Sequence, residues 1–230
     1  FTLQVSQFDC TSCGSCADVC PADALSMEPA KFTDASRTLW EYGLQLADKG
    51  SVFDPYSVKG SQFKQPLLEF SAACAGCGET PYAKLLTQLF GDRVYWANAT
   101  GCSQAWGAPF PGIPYTVNKR GFGPAWTNSL FENNAELSLG LYLGSTQQRV
   151  GEKARVKKLL QVLTCGLENP KEGKGDAPEP AAMERVEAAC ESYLAAFDDF
   201  DASRAASDTL VGAIEASMGS LTNSAKKVCE

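Results

Sequence analysis

The chain contains no histidine in 230 residues. That absence removes a histidine base, a histidine metal ligand and a Ser–His or Cys–His pair from any mechanism confined to these residues. There is also no apolar run of about 18 residues, the length a membrane-spanning helix needs. Positive charge is in short supply, with 20 Lys+Arg against 27 Asp+Glu and a net charge of −7. A phosphate backbone or an anionic bilayer surface requires the opposite balance. Neither a nucleic acid nor a membrane is therefore expected as a partner. The chain opens on Phe1, without a basic-then-apolar leader or a cleavage site.

Hydrophobic residues make up 44% of the chain, enough for a real core. At about 150 residues per domain, the length corresponds to two units or an incomplete one. Ten cysteines in 230 residues fall well short of a small disulfide scaffold, so their spacing decides their meaning. Cys10, Cys13, Cys16 and Cys20 read C-T-S-C-G-S-C-A-D-V-C-P, which is C-x2-C-x2-C-x3-C-P. Such a run wraps a tight loop around one iron–sulfur cubane with three thiolates, and sends the fourth to another cluster. Gly14 and Ser15 suit a loop whose backbone N–H groups turn toward sulfide, and Pro21 closes it. Zinc sites present two separated pairs instead of four cysteines within eleven residues. By this logic the set is half of a two-cluster ferredoxin. No second C-P motif lies between Cys20 and Cys74, and only nine residues precede Cys10. The other half is expected upstream, with Phe1 as a cut.

Residues Phe1 to Val5 alternate like a short strand, and Ala22 to Met27 supplies its expected return partner. Between about Glu28 and Gln65 the text is turn-rich, with one helical stretch around Ser36–Lys49, and reads as an ordered connection over the surface. Leu67 to Phe70 reads as a short strand or helix start. Pro81 to Phe90 is helical with proline at a permitted first-turn position, and Val94 to Asn98 is a buried strand. Ala108 to Ala125, rich in proline and glycine, is a long loop with the punctuation of a functional surface. Asn128 to Leu143 turns helical, and 152–165, 182–200 and 203–218 form three further helices. The run 171–180 (K-E-G-K-G-D-A-P-E-P) is a solvated linker by composition. Cys165, Cys190 and Cys229 fall on or beside these helices without neighbouring thiols, and read as small buried hydrophobes.

A second thiol group follows the connection. C-A-G-C-G-E-T-P-Y supplies Cys74 and Cys77, and T-G-C-S supplies Cys102 twenty-five residues on. Three thiolates alone are equally compatible with zinc and with iron–sulfur. Glu79 between them has two readings. It is either part of a helix N-cap region or a group that protonates a heterocycle beside the cluster.

Three further stretches carry a family resemblance. S-A-A-C-A-G-C-G-E-T-P-Y, A-N-A-T-G-C-S and G-F-G-P-A-W-T-N-S-L-F-E-N-N-A-E resemble consecutive parts of pyruvate:ferredoxin (flavodoxin) oxidoreductase. The ferredoxin loop and K-G-S-Q-F-K-Q-P-L-L-E-F precede them there in the same order. The likeness covers about residues 1–145, and the helical 146–230 region corresponds by position to a variable insertion.

The resemblance implies a fold. It is an incomplete α/β thiamine-diphosphate-binding domain with a helical insertion, preceded by part of an α+β ferredoxin-like [4Fe–4S] domain. The expected divisions are 1–28 for the ferredoxin half, 29–65 for the linker and 66–230 for the thiamine part, with 146–230 inserted. It also implies a chemistry: oxidative decarboxylation of pyruvate with coenzyme A to acetyl-CoA and carbon dioxide. Electrons leave through [4Fe–4S] clusters to ferredoxin or flavodoxin. Carried onto this sequence, Cys74, Cys77 and Cys102 hold the cluster nearest thiamine diphosphate. Glu79 hydrogen-bonds N1′ of the aminopyrimidine, and Thr100 and Gly101 lie with Cys102 against the cofactor. Cys10, Cys13, Cys16 and Cys20 are the ferredoxin-type ligands. The full-length enzyme is expected to be a cytoplasmic homodimer.

The family's G-D-G motif for diphosphate and Mg2+ is absent from these residues; Gly91-Asp92 and Gly175-Asp176 lack the strand-then-helix context. The fourth ligand of the thiamine-side cluster, and the domains that bind pyruvate and coenzyme A, are absent too. The chain stops about where a strand leading to G-D-G should begin. It therefore reads as a segment of a longer enzyme, or one chain of a split enzyme, inactive alone. The core of a pyruvate:NADP oxidoreductase fits the same residues. Two other classes compete. A stand-alone ferredoxin-like carrier explains Cys10–Cys20 and the acidity but gives Glu79 no role. A zinc-stabilised structural protein uses Cys74, Cys77 and Cys102 with one more ligand.

Overall fold

Helices outnumber strands in the computed structural model, which describes residues 3–31, 33–47, 52–108, 112–165, 179–221 and 223–229. The order is α1 (Ser15–Asp18), α2 (Asp34–Gln45), α3 (Val58–Ser61), α4 (Thr80–Phe90), β1 (Tyr95–Ala99), α5 (Cys102–Gly107), β2 (Ala125–Ser129) and α6 (Asn134–Cys165). Then come α7 (Pro180–Ala196), α8 (Phe200–Ser217), a 3-10 turn (Met218–Ser220) and α9 (Asn223–Cys229). The chain divides into two compact units, 1–141 and 142–230.

In the first unit, β1 and β2 pair in parallel with Tyr95 opposite Ala125 and Ala99 opposite Ser129. Parallel neighbours need a crossover, and α5 with the loop after it supplies one. A small core of Leu68, Ala83 and Trp106 lies against it, with Ala73, Trp96 and Tyr115 packed around. Helix α4 follows from its sequence: Pro81 sits in the first turn, where no N–H is lost, and Ala83, Thr87 and Gln88 recur on the buried side. Thr87 Oγ1 accepts hydrogen bonds from the amides of both Leu67 and Leu68 at 3.1 Å. Gln88 Nε2 adds a bond to the Lys64 carbonyl at 3.0 Å. The segment leading to Cys74 is thereby strapped onto the helix that follows Glu79.

Helix α2 has Thr33 as its N-cap, accepting from Ser36 N. It buries no residue of its own, and Trp40 meets Phe70 edge-on at 6.1 Å.

The second unit is helical. Leu159 and Leu163 of α6 pack with Val186, Ala189 and Cys190 of α7, Leu210 and Ala213 of α8, and Ala225 of α9. Phe197, just beyond α7, lies under the cations of Arg149 and Lys153 at 4.7 and 4.0 Å. Cys190 is fully buried in this core, in keeping with its reading as a small hydrophobe.

Several local expectations change. Residues 3–5 and 22–27 form no ladder, and Phe1 and Thr2 lie outside the described residues. Leu3 and Val5 stay 72% and 59% exposed; an alternating run without a partner strand has nothing to pair with. The Leu67–Phe70 segment is extended and forms an antiparallel bridge between Leu68 and Tyr115. Residues 128–143 and 152–165 were expected as separate helices. Instead β2 takes Asn128 and Ser129, and α6 runs unbroken from Asn134, because no proline interrupts residues 134–165. The last described residues form α9. The 171–180 linker lies, except for its last two residues, outside the described residues.

Candidate iron–sulfur and cofactor site

Two cysteine loops belong to the first unit, and in each a thiol accepts hydrogen bonds that draw its pKa down. In the first loop, Ser12 and Gly14 take positive φ of 57° and 78° on either side of Cys13. Glycine adopts that conformation without steric cost, and such alternation turns successive N–H groups into an anion-binding concavity. Ser15 draws the Cys13 thiol below its ordinary pKa, through its hydroxyl first and its backbone N–H second. The N–H groups of Ala22 and then Ala24 lower Cys20 likewise, and Ala24 N donates to Cys20 Sγ at 3.3 Å. Cys10, Cys13 and Cys16 are exposed and Cys20 half-buried.

The second loop repeats the device. Gly76 takes φ of 65°, and Cys77 N closes the turn onto the Cys74 carbonyl at 3.0 Å. Cys77 is then held below the usual thiol range by the N–H groups of Thr80 and Glu79, which open α4. A helix start offers such unpaired donors together with the positive end of its dipole. Cys74 and Cys102 are exposed, and Cys77 is half-buried. Cys102 begins α5 directly after β1, so strand, T-G turn and helix place it at the carboxyl end of a parallel strand. That end is where open α/β sheets receive their ligands. Among the described residues, no three Cys, Asp or Glu side chains converge on a metal-ligand geometry. The loops are formed and their thiols face outward, but the thiolates are not gathered to one point.

Glu79 occupies the N-cap position of α4, yet its side chain makes no capping hydrogen bond. Its carboxylate is exposed beside the Cys77 loop. Glu79 therefore lies in the helix N-cap region, as one of its two readings has it, and bonds to the helix through its carbonyl and not its carboxylate.

Glu69, ahead of the second loop, is a half-buried carboxyl near Asp9. Burial first, and the charge of Asp9 second, raise the Glu69 carboxyl. Asp9 adjoins Cys10, and Glu69 lies five residues before Cys74.

Behind the second loop lies an aromatic group that sequence reasoning did not single out. Tyr115 stacks on Trp126 at 5.4 Å, and Trp96 lies 6.2 Å from Tyr115. A side chain at Gly107 would come within 2.9 Å of Trp126, so glycine lets the end of α5 approach the ring. Trp96 Nε1, Trp106 Nε1, Tyr115 Oη and Trp126 Nε1 are all buried without a hydrogen-bond partner. Buried polar groups are ordinarily satisfied. These four are among the unsatisfied buried side-chain atoms of the described residues. At the carboxyl ends of the strands, Asn98 is fixed by Ser103 Oγ at 2.8 Å and reaches Asn128 at 3.3 Å.

Residues 3–26 match the 4Fe-4S binding domain family, so the first loop is of the iron–sulfur class. More particularly, the chain resembles a segment of the pyruvate-flavodoxin and pyruvate:ferredoxin oxidoreductases. It is 57% identical over 162 residues to the pyruvate-flavodoxin oxidoreductase of Enterobacter agglomerans, covering 70% of this chain and 14% of that protein. It is 49% identical over 213 residues to the pyruvate:ferredoxin oxidoreductase of Moorella thermoacetica, covering 91% of this chain and 17% of that one. Against the pyruvate dehydrogenase [NADP(+)] of Cryptosporidium parvum it is 58% identical over 150 residues, 65% of this chain and 8% of that protein. The chain thus spans no more than about a sixth of the length of these curated relatives.

No helix of the described residues is long and apolar enough to cross a membrane.

Proposed function

We propose that the chain is the part of a pyruvate:ferredoxin or pyruvate:flavodoxin oxidoreductase in which an iron–sulfur relay meets the thiamine site. The observation that carries this reading is the Cys74–Glu79 loop. There a thiol stabilised as thiolate by the first amides of α4 stands beside a carboxylate that does not cap the helix.

In this reading Cys74, Cys77 and Cys102 hold three corners of one [4Fe–4S] cluster, its fourth ligand lying elsewhere in the enzyme. Cys10, Cys13, Cys16 and Cys20 serve the ferredoxin-type clusters. The clusters supply one-electron transfer, and thiamine diphosphate with Mg2+ supplies the carbanion chemistry of 2-oxo acid decarboxylation. Glu79 is the catalytic carboxylate, holding the proton shared with N1′ of the aminopyrimidine. Thr100 and Gly101, in the turn between β1 and α5, lie with Cys102 along the same cofactor. Residues 66–230 belong to the α/β thiamine-binding domain, with 146–230 inserted; 1–28 are the ferredoxin half and 29–65 the linker.

Pyruvate and coenzyme A are the substrates, ferredoxin or flavodoxin the acceptor, and the complete enzyme a cytoplasmic homodimer. The likeness to an NADP-linked pyruvate dehydrogenase makes NADP the alternative final acceptor.

The test is anaerobic. The native protein is captured with an antibody raised against residues 1–145 and its visible iron–sulfur absorption is followed. Pyruvate with coenzyme A should bleach that absorption only when thiamine diphosphate is bound. A spectrum indifferent to pyruvate in the loaded protein contradicts the proposal.

A further inference from the structure

Two asparagines share one rung of the parallel pair, Asn98 on β1 and Asn128 on β2. Asparagine is a poor strand former, so a matched pair near the carboxyl ends of both strands needs a reason. The hydrogen bonds of Asn98 supply it. Its Nδ2 donates to the Ala99 carbonyl at 2.9 Å and to Asn128 Oδ1 at 3.3 Å. Its Oδ1 accepts from Ser103 Oγ at 2.8 Å. Both N–H donors and the oxygen of this half-buried carboxamide are thereby committed.

Two of these partners bracket a single turn. Ala99 ends β1, Thr100 and Gly101 form the turn, and Cys102 and Ser103 open α5. Asn98 therefore grips the chain immediately before the turn and immediately after Cys102. Packing does not hold this end, because a side chain at Gly101 would meet no atom within 4 Å and Cys102 itself is exposed. The other end of α5 is fixed differently, by the buried Trp106 and by Gly107 against the Trp126 ring. The third partner, Asn128, fixes the amide plane of Asn98 from the neighbouring strand. The grip on the turn is thus set by the sheet.

Resting on the reading of Cys102 as a cluster ligand, we infer that Asn98 is a positioning residue of the thiamine-side cluster, whose carboxamide holds the Thr100–Gly101 turn from both sides and so aims the Cys102 thiolate. It acts through Ser103 and the Ala99 carbonyl and is not itself a ligand. Outer partners of this kind orient metal ligands, and their loss costs about 10–100-fold in metal affinity.

The test uses the full-length enzyme with Asn98→Ala, Ser103→Ala, Ser103→Thr and the double variant Asn98→Ala/Ser103→Ala, with Cys102→Ser as reference. Electron paramagnetic resonance separates the clusters, and loss of iron to a chelator is timed for the cluster that Cys102→Ser alters. Asn98→Ala and Ser103→Ala should each broaden the signal of that cluster and speed its iron loss about tenfold. The ferredoxin-type signals should stay as they are. Ser103→Thr keeps the hydroxyl and should behave as wild type. The double variant should lose iron no faster than Asn98→Ala, since both changes break the same bond. Wild-type behaviour in either single alanine variant, with an altered signal in Cys102→Ser, overturns the positioning role and leaves the ligand standing. An unaltered signal in Cys102→Ser overturns both. Equal damage in Ser103→Thr and Ser103→Ala, or additive damage in the double variant, overturns the hydrogen bond as the cause. If Asn98→Ala also disturbs the ferredoxin-type signals, it has unsettled the fold, and Ser103→Ala, which removes one hydroxyl, decides.

Discussion

Thr87 Oγ1 lies 3.1 Å from the amide nitrogen of Leu68 and accepts its hydrogen bond. It does the same for Leu67 and donates its own hydrogen bond to the Lys84 carbonyl at 2.8 Å. One hydroxyl therefore ties the strand that enters the C-x2-C loop to the helix that leaves it. The loop between them is Cys74 to Glu79, so its shape depends on a residue that touches no sulfur.

Thr87→Val retains the shape and removes the acceptor. Two buried amides then lose their partner, at about 1–3 kcal/mol for each group left unsatisfied. Thermal unfolding should move down by several degrees, and hydrogen exchange at Leu67 and Leu68 should accelerate above that of the neighbouring α4 amides. Unchanged exchange at those two amides would show that the strap does not act in solution.

Cys102→Ser separates the two cluster systems. Cys102 starts α5 at the end of β1, while Cys10–Cys20 form their own loop with its own amide donors. In the full-length enzyme the replacement should change the electron paramagnetic resonance signal of the thiamine-side cluster and leave the ferredoxin-type signals as they were. If every signal persists unaltered, Cys102 is not a ligand.

The first loop was legible in the sequence because its information is local. Four cysteines within eleven residues, with Gly14 and Ser15 between them, dictate a turn that needs no distant partner. The helix from Pro81 was legible for the same reason, through its proline and its apolar spacing. Strand β2 was not. Ala125–Ser129 lies directly after a glycine–proline loop, and only its pairing with β1 makes it a strand; the β-formers Trp126 and Thr127 were the available signal. Tyr115 and Thr87 escaped notice because their roles depend on tertiary neighbours 47 and 19 positions away in Leu68. The expected strand at 1–5 failed in the opposite sense, with alternation present but no partner described beside it.

Cys190 gives a prediction for the second unit that depends on pH. Burial, assisted by the charges of Cys229, Glu187 and Glu191, pushes its thiol up to about 11 from the ordinary value of 9.0. The folded state therefore holds the proton more tightly than the unfolded chain. Its contribution is complete below the unfolded value and disappears as the pH rises through the folded one. Stability of the α7–α8 region should fall by about 1–3 kcal/mol across that window in excess of the fall in Cys190→Ala. Parallel pH profiles for the two proteins would contradict the assignment of a buried, protonated thiol.

The central claim is that these loops hold iron and sulfide, and anaerobic reconstitution of the chain with iron and sulfide tests it most directly. The account predicts a brown protein whose bound iron is matched by acid-labile sulfide, falls in part in Cys10→Ser/Cys13→Ser and falls in part in Cys74→Ser/Cys77→Ser. A colourless protein free of iron and loaded with zinc would contradict it.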